Sequence, residues 1–244
     1  MRRTIWILWL QGWDAAPEVA RVCLRTWRAH NAEWEVRALD ASDVPGLLEG
    51  DELMALKPGR RLHPPAYANL IRTALLRRYG GVWADSTAYC LKPLDAWLPE
   101  VMETGFFAFA KPGPDRMLSN WFLAAEAGDY IIRQWYAACA DYWATRTVRD
   151  TYHWHHRLFA EIYGRDARFR AQWDATPEIS ARLGLHFGPY KERLPGPMTA
   201  DDRDYVDTAA APMLKLSHRI QRDTWPESSV YAGLLERASR LPGQ

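Results

Sequence analysis

The glycine pair Gly80-Gly81 constrains the fold of this 244-residue chain more than any other feature. The segment from about Ala66 to Tyr79 has apolar residues at helical spacing, and glycine just beyond a last helical turn adopts the left-handed conformation that ends a helix. The apolar run Val82-Trp83-Ala84 follows at once, and Asp85 comes next. The pair therefore predicts a helix that reverses directly into a buried strand with an acid at its carboxyl end.

The first forty residues predict a strand, a helix and a second strand. The first strand covers residues 4–10, Asp14 is the candidate N-cap of the helix, and Pro17 lies near the first turn. The second strand covers residues 34–39 and ends at Asp40. One helix face is apolar and contains Val19, Val22, Cys23, Thr26 and Trp27. This order opens a parallel α/β sheet, in which ligands bind beyond the carboxyl ends of the strands.

The rest of the chain gives weaker signals. Residues 43–65 are rich in proline and glycine and predict loops, and a helical period returns from about residue 117. We predict one strand at 106–110, helices at 131–142, 152–163 and 229–239, and a short apolar segment at 212–216. Asp150 or Thr151 is the predicted cap of the second of these helices. No linker or repeat divides the chain, so we predict a single domain over residues 1–244.

Composition excludes some classes of protein. The 31 basic and 30 acidic residues give a net charge of +1, which argues against a nucleic-acid partner. The 13 tryptophans supply core volume, and a few of them supply platforms for sugars or bases. The three scattered cysteines predict buried thiols in a reducing cytoplasm. Arg2 and Arg3 precede an apolar run that is too short for a signal peptide, so we interpret the run as a strand.

Asn69, Arg72 and Asp85 are the first candidate site residues. Asn69 and Arg72 lie one helical turn apart, so their side chains share a face, and Asp85 should lie near them. A carboxylate there can bind a divalent cation or accept hydrogen bonds, and an arginine can orient it or bind phosphate. The alternative is that the glycines only cap a helix and Asp85 only ends a strand.

The segment from Tyr67 to Thr87 resembles the DXD-containing glycosyltransferase sugar-binding region family, especially its bacterial capsular polysaccharide synthesis branch. It is also similar to the cores of clostridial toxin-type glucosyltransferases. Further landmarks of the resemblance are Ile7-Leu8-Trp9-Leu10-Gln11-Gly12, Lys92-Pro93-Leu94-Asp95-Ala96-Trp97 and Ser119-Asn120-Trp121-Phe122. The resemblance implies a GT-A-type, Rossmann-like α/β sheet flanked by helices, with helical additions in the C-terminal half. It places the nucleotide-sugar-binding core at about 4–115 and the acceptor side and closing segment at about 116–244.

The resemblance also implies roles for particular residues. Asp85 matches the first acid of the DXD motif, and Arg72 and Asn120 match side chains near the donor sugar and phosphates, so these three are the expected catalytic residues. Trp9 matches an aromatic residue that stacks on the donor base. The remaining expected donor-binding residues are Gln11, Asp40, Asn69, Trp83, Ser86, Thr87 and Lys215.

Two departures from the family pattern concern the metal. Asn69 replaces an aspartate, and Thr87 replaces the second acid of the motif, which weakens a site for Mn²⁺ or Mg²⁺ because a hydroxyl is a poor ligand for a hard cation. Asp85, Thr87 and His218 are the candidate metal ligands. Two alternatives stay open: the metal is held by Asp85 and C-terminal groups, or cationic side chains replace it. The candidates for either task are Lys215, His218, Arg219 and Arg222; the alternative is that they form a solvated basic face near the chain end.

The expected activity is transfer of a sugar, with retention of configuration, from a nucleoside diphosphate donor such as a UDP-sugar. The expected acceptor is a saccharide or a lipid-linked glycan in capsular or surface polysaccharide synthesis, met in the cytoplasm or at the inner face of the membrane. The alternatives are a non-catalytic nucleotide-sugar-binding protein and a carbohydrate-binding protein of this fold. The cluster His153, His155 and His156 has no acidic partner at useful spacing and predicts no metal site.

Overall fold

The computed structural model describes residues 1–56, 64–182, 194–218 and 225–242. A five-stranded sheet in the order β2-β1-β3-β6-β5 forms its centre, and β4 and β7 form a separate two-stranded sheet. In the central sheet β1 pairs in parallel with β2 and β3, whereas β6 is antiparallel to both β3 and β5. The strands are β1 (Thr4–Leu8), β2 (Glu35–Leu39), β3 (Gly81–Ala84), β4 (Ala88–Cys90), β5 (Phe106–Gly113), β6 (Arg116–Ala125) and β7 (Met213–Lys215).

Helices cover both faces of the central sheet. Consecutive side chains of β1 point to opposite faces, so Ile5 and Ile7 join one core cluster while Trp6 and Leu8 join the other. Because both faces are covered, β1 is buried along its whole length. The helices are α1 (Glu18–His30), α2 (Val44–Leu47), α3 (Asp51–Leu56), α4 (Pro64–Tyr79), α5 (Leu98–Val101), α6 (Tyr130–Ala144), α7 (Trp154–Arg165), α8 (Ala167–Asp174), α9 (Ala200–Asp207) and α10 (Val230–Ser239).

The glycine pair has the predicted role. Gly80 and Gly81 have φ angles of +66° and +95°, and the amide of Gly80 closes the last turn of α4 on the carbonyl of Leu76 at 2.9 Å. A Cβ on Gly81 would lie 2.5 Å from the carbonyl oxygen of Thr4 in β1. Glycine therefore permits both the reversal and the close pairing of β3 with β1.

Several sequence predictions about local structure are wrong. Asp14 lies in a short 3₁₀ helix, and Pro17 stands at the N-cap of α1. The segment 43–65 contains the short helices α2 and α3 besides its loops. The N-cap of α7 is His153, because Asp150 instead accepts hydrogen bonds from Tyr142 and Arg157.

The largest difference concerns residues 116–125, which form β6 in the middle of the sheet; helix resumes only at Tyr130. Burial on both faces removes the alternation that marks a strand, so the segment lacks a period-two pattern. The boundary near residue 115, which the resemblance placed between the nucleotide-sugar-binding part and the acceptor side, falls in the turn between β5 and β6.

The predictions about the tryptophans and the cysteines agree with the structure. Nine of the thirteen tryptophans are buried, so core packing is their main role, and the three cysteines are buried free thiols. Among the described residues, no helix is long and apolar enough to cross a membrane.

Candidate active site

Asp85 follows the last residue of β3, at the carboxyl edge of the parallel strands. Its amide donates to the carbonyl of Trp121 in β6 at 2.8 Å, and its own carbonyl accepts from the amide of Ala88 at 2.8 Å, which fixes the turn. The carboxylate oxygen Oδ1 accepts from the Trp83 indole at 3.0 Å and lies 3.1 Å from Nη2 of Arg72. With 27% of its side chain exposed, Asp85 is held by buried groups and still reaches the surface.

Arg72 supports Asp85 from the interior. Its side chain is 5% exposed, and its guanidinium stacks on the Trp83 ring at 4.9 Å from the ring centre. It also donates to the backbone carbonyls of Asn120 and, at 3.4 Å, Ala68. Burial lowers the pKa of Arg72 and the charge of Asp85 opposes that effect, so the guanidinium stays cationic. Arg72 is therefore a positioning residue in this arrangement.

Lys215 approaches Asp85 from the small sheet. The residue pairs with Ala88 across β4 and β7, and the amide of Leu216 donates to the carbonyl of Thr87 at 2.8 Å. This pairing brings Nζ of Lys215 into a hydrogen bond with Oγ1 of Thr87 and within 3.6 Å of Oδ2 of Asp85. Burial raises the pKa of Asp85, but Arg72, Lys215 and the Trp83 hydrogen bond lower it more, so the carboxyl is ionised at neutral pH.

A second polar cluster lies beside Arg72 and consists of Asn69, Asn120 and His155. Nδ2 of Asn120 is 3.1 Å from Oδ1 of Asn69 and 3.1 Å from Nδ1 of His155. Because this amide nitrogen can only donate, Nδ1 of His155 accepts and the proton sits on Nε2. Burial, followed by the charge of Arg72, holds the pKa of His155 well below its usual value, so the ring is neutral.

The other predicted residues lie around these clusters. Trp9 follows β1, is half-buried, and packs edge-on against His218 with ring centres 6.0 Å apart. Gln11 is exposed, and Ser86 is half-buried in the turn after β3. Asp40 follows β2 and accepts hydrogen bonds from the backbone and hydroxyl of Ser42 at 2.7 and 2.6 Å. Because β1, β2 and β3 run parallel and end at the same edge of the sheet, Trp9, Asp40 and Asp85 follow neighbouring strands at that edge.

Trp83 and His155 have roles that sequence reasoning did not assign. The Trp83 ring is only 1% exposed, so it presents no open face to a donor and instead fixes Arg72 and Asp85. His155 reaches Asn120 because α7 packs on β6. No local pattern marked that contact, since residues 116–125 carried no strand signal.

A divalent metal fits the described groups poorly. Among the residues that the structure describes, no cluster of three or more His, Cys, Asp or Glu side chains is placed to hold a metal ion. Of the three candidate ligands, Asp85 is held by two cations, Thr87 accepts from Lys215, and His218 packs on Trp9. Arg219 and Arg222, named above as candidates, lie outside the described residues.

Comparison with known proteins finds glycosyltransferases among the relatives of this chain. Curated relatives include "O-glycosyltransferase PaGT" of Phomopsis amygdali, 26% identical over 172 residues, and "Glycosyltransferase afumC" of Aspergillus fumigatus, 29% identical over 158 residues. These alignments cover 63% and 58% of this chain but only 42% and 40% of the relatives, so the chain spans about two fifths of their length.

The fold is shared with a solved structure, described as a glycosyltransferase involved in the glycosylation of the major capsid of PBCV-1. The similarity covers 98% of this chain and 99% of that one, with a TM-score of 0.52 and 9% sequence identity. It confirms the predicted GT-A-type α/β fold. The family model for the capsular polysaccharide synthesis protein matches residues 1–233. This chain therefore belongs to the capsular polysaccharide synthesis protein family.

Proposed function

We propose that this protein is a glycosyltransferase that moves a sugar from a nucleoside diphosphate donor, a UDP-sugar by expectation, to a hydroxyl of a glycan. The observation that carries the proposal is the Arg72–Asp85–Lys215 cluster at the carboxyl edge of the parallel strands, where open α/β sheets bind their ligands. The names of the curated relatives and the shared fold support the same activity.

The charge of the cluster suits a diphosphate. Arg72 and Asp85 neutralise each other, and Lys215 leaves a local excess of one positive charge near the surface. A fixed cation beside the departing diphosphate stabilises the charge that develops as the glycosidic bond breaks.

Two further groups suit the rest of the donor. Trp9 is a half-buried aromatic residue at the same edge and is the proposed platform for the base. The amides of Asn69 and Asn120 donate and accept hydrogen bonds, so they are the proposed partners of the sugar hydroxyls.

The proposed transfer retains configuration. The bond between the anomeric carbon and the phosphate oxygen breaks, the acceptor oxygen binds the same face of that carbon, and the acceptor proton moves to the leaving diphosphate. Asp85 is the carboxylate of this cluster, and hydrogen bonds and cations hold it in place. These contacts lower its nucleophilicity, which favours front-side attack over a covalent glycosyl-enzyme.

The acceptor in this proposal is a saccharide or lipid-linked glycan of surface polysaccharide synthesis, in line with the family description. The three free thiols support a reducing cytoplasm, and a lipid-linked acceptor would bring the protein to the inner face of the membrane.

A thermal-shift screen of UDP-, GDP- and ADP-sugars, followed by measurement of nucleoside diphosphate release with oligosaccharide acceptors, tests the proposal. We expect stabilisation by one donor class and release that falls at least tenfold in Asp85→Asn. Asp207→Asn, an exposed carboxylate paired with Arg237, is the matched control and should keep activity. Donor binding without any release, even by slow hydrolysis, would show a non-catalytic binding protein. Glycan binding without nucleotide affinity that survives Asp85→Ala would show a carbohydrate-binding protein.

A further inference from the structure

Lys215 contacts Asp85 and Thr87, the two residues that match the acid positions of the DXD motif. Its ammonium donates to the hydroxyl of Thr87, the residue in the second-acid position, and lies 3.6 Å from Oδ2 of Asp85, the first acid. One cationic group thus faces both residues of the motif.

The backbone fixes this lysine in place. Lys215 is paired with Ala88 in the β4–β7 sheet. The amide of the next residue, Leu216, donates a hydrogen bond to the carbonyl of Thr87, the residue before Ala88. The side chain is only 11% exposed, and Nζ makes a third contact, of 3.4 Å, with the Leu216 carbonyl. The ammonium is therefore held in a set position before any ligand arrives, as a bound cation would be.

The oxygen atoms that a metal would need are already occupied. Oδ1 of Asp85 accepts from Trp83 and Arg72, and Oδ2 faces Lys215. Mg²⁺ and Mn²⁺ require several oxygen ligands, usually including carboxylates, and a dication beside Lys215 and Arg72 would be repelled by both. Thr87 contributes only a neutral hydroxyl that already accepts a hydrogen bond.

We propose that the Lys215 ammonium takes the part of the divalent cation, so that donor binding and sugar transfer do not require a metal. This inference rests on the proposed function. Lys215 keeps its hydrogen bond to Thr87 and exchanges its contacts with Asp85 and the Leu216 carbonyl for oxygens of the donor diphosphate. At this position a second acid would bind a metal ion, whereas the hydroxyl of Thr87 binds the Lys215 ammonium.

Calorimetric titration of the metal-stripped protein tests the proposal, with UDP, GDP and ADP as probes in EDTA and in MnCl₂. We expect the tightest-binding nucleotide to have the same dissociation constant, within threefold, in both media. Lys215→Met should weaken binding at least tenfold in both, while Lys215→Arg should retain part of the affinity. Lys111→Met, which removes an exposed lysine paired with Glu178, is the matched control and should bind as the wild type does.

A double variant, Thr87→Asp with Lys215→Ala, gives a gain-of-dependence test. It restores the second acid and removes the ammonium, so we expect binding at least tenfold tighter in MnCl₂ than in EDTA. Melting temperatures of all variants check that they fold. Binding by the wild type that EDTA abolishes and MnCl₂ restores would overturn the inference and leave the proposed function intact. The absence of nucleotide binding in both media would overturn both.

Discussion

Replacing Arg72 by methionine should destabilise the protein by about 3 kcal/mol, because it breaks a buried ion pair from one side. Methionine keeps much of the apolar stem against Trp83 but removes the guanidinium bonds to Asp85 at 3.1 Å and to two backbone carbonyls. Removing one partner of a buried pair typically costs about 3–5 kcal/mol. The partial exposure of Asp85 and its remaining contact with Lys215 place the expected value at the lower end.

Urea denaturation, followed by tryptophan fluorescence and far-ultraviolet circular dichroism, measures this change in the free energy of unfolding. Arg78→Met is the matched control, because Arg78 lies on the same helix, pairs with the exposed Glu49, and leaves Glu52 bound to Arg77. Its effect should be much smaller. In a double-mutant cycle, Arg72→Met and Asp85→Asn should couple by about 1–3 kcal/mol, since the second change removes the charge that the first leaves unpaired. A cycle that is additive to within about 0.5 kcal/mol, or an Arg72 effect no larger than that of Arg78, would refute this reasoning.

Three further predictions concern other parts of the structure. Burial keeps the pKa of His155 low and the ring neutral in the folded protein, whereas a histidine in the unfolded chain binds a proton below about pH 6.5. The free energy of unfolding should therefore fall as the pH drops below that value, by up to about 1.4 kcal/mol per pH unit. Urea unfolding of the wild type and of His155→Gln over a pH series should show this difference in the pH dependence of stability. Gly81→Ala should lower the free energy of unfolding by at least about 3 kcal/mol, because its Cβ would meet a β1 carbonyl at 2.5 Å. Gly128→Ala, at φ +71° in open space, should lower it by only about 1–2 kcal/mol. Equal melting temperatures of the two variants would contradict this. Trp83→Phe removes a hydrogen bond to the charged Asp85 and should cost about 2 kcal/mol in urea unfolding, and a change below about 0.5 kcal/mol would contradict its positioning role.

The sequence predicted the parts of this site that depend on neighbouring residues. A helix, two glycines and a strand determine the position of Asp85, and each signal lies within about twenty residues of the next. Arg72 was identified together with Asp85 because one helix leads directly into the strand that carries the acid. These features follow from capping and periodicity, which act over short distances along the chain.

The parts that could not be predicted depend on distant pairing. β6 is buried between β3 and β5, so its sequence has no alternation to mark it as a strand. The contacts of His155 with Asn120 follow from the packing of α7 on that strand and were missed with it. Family resemblance implied Lys215 at the donor site, but its contact with Thr87 could not be predicted, because nothing in either segment specifies the other.

The small β4–β7 sheet has a consequence for how the protein is made. Its register joins Ala88 to Lys215, and the bond between Lys215 and Thr87 closes a separation of 128 residues. A ribosome must therefore synthesise the central sheet and most of the helices before the residue that completes the charge cluster leaves the exit tunnel. Closing so long a loop costs conformational entropy, and contacts between residues this far apart in sequence form slowly during folding. The nascent chain thus contains Arg72 and Asp85 well before it contains a complete site, and a premature stop between Ala125 and Met213 yields a chain with every strand of the central sheet but without Lys215.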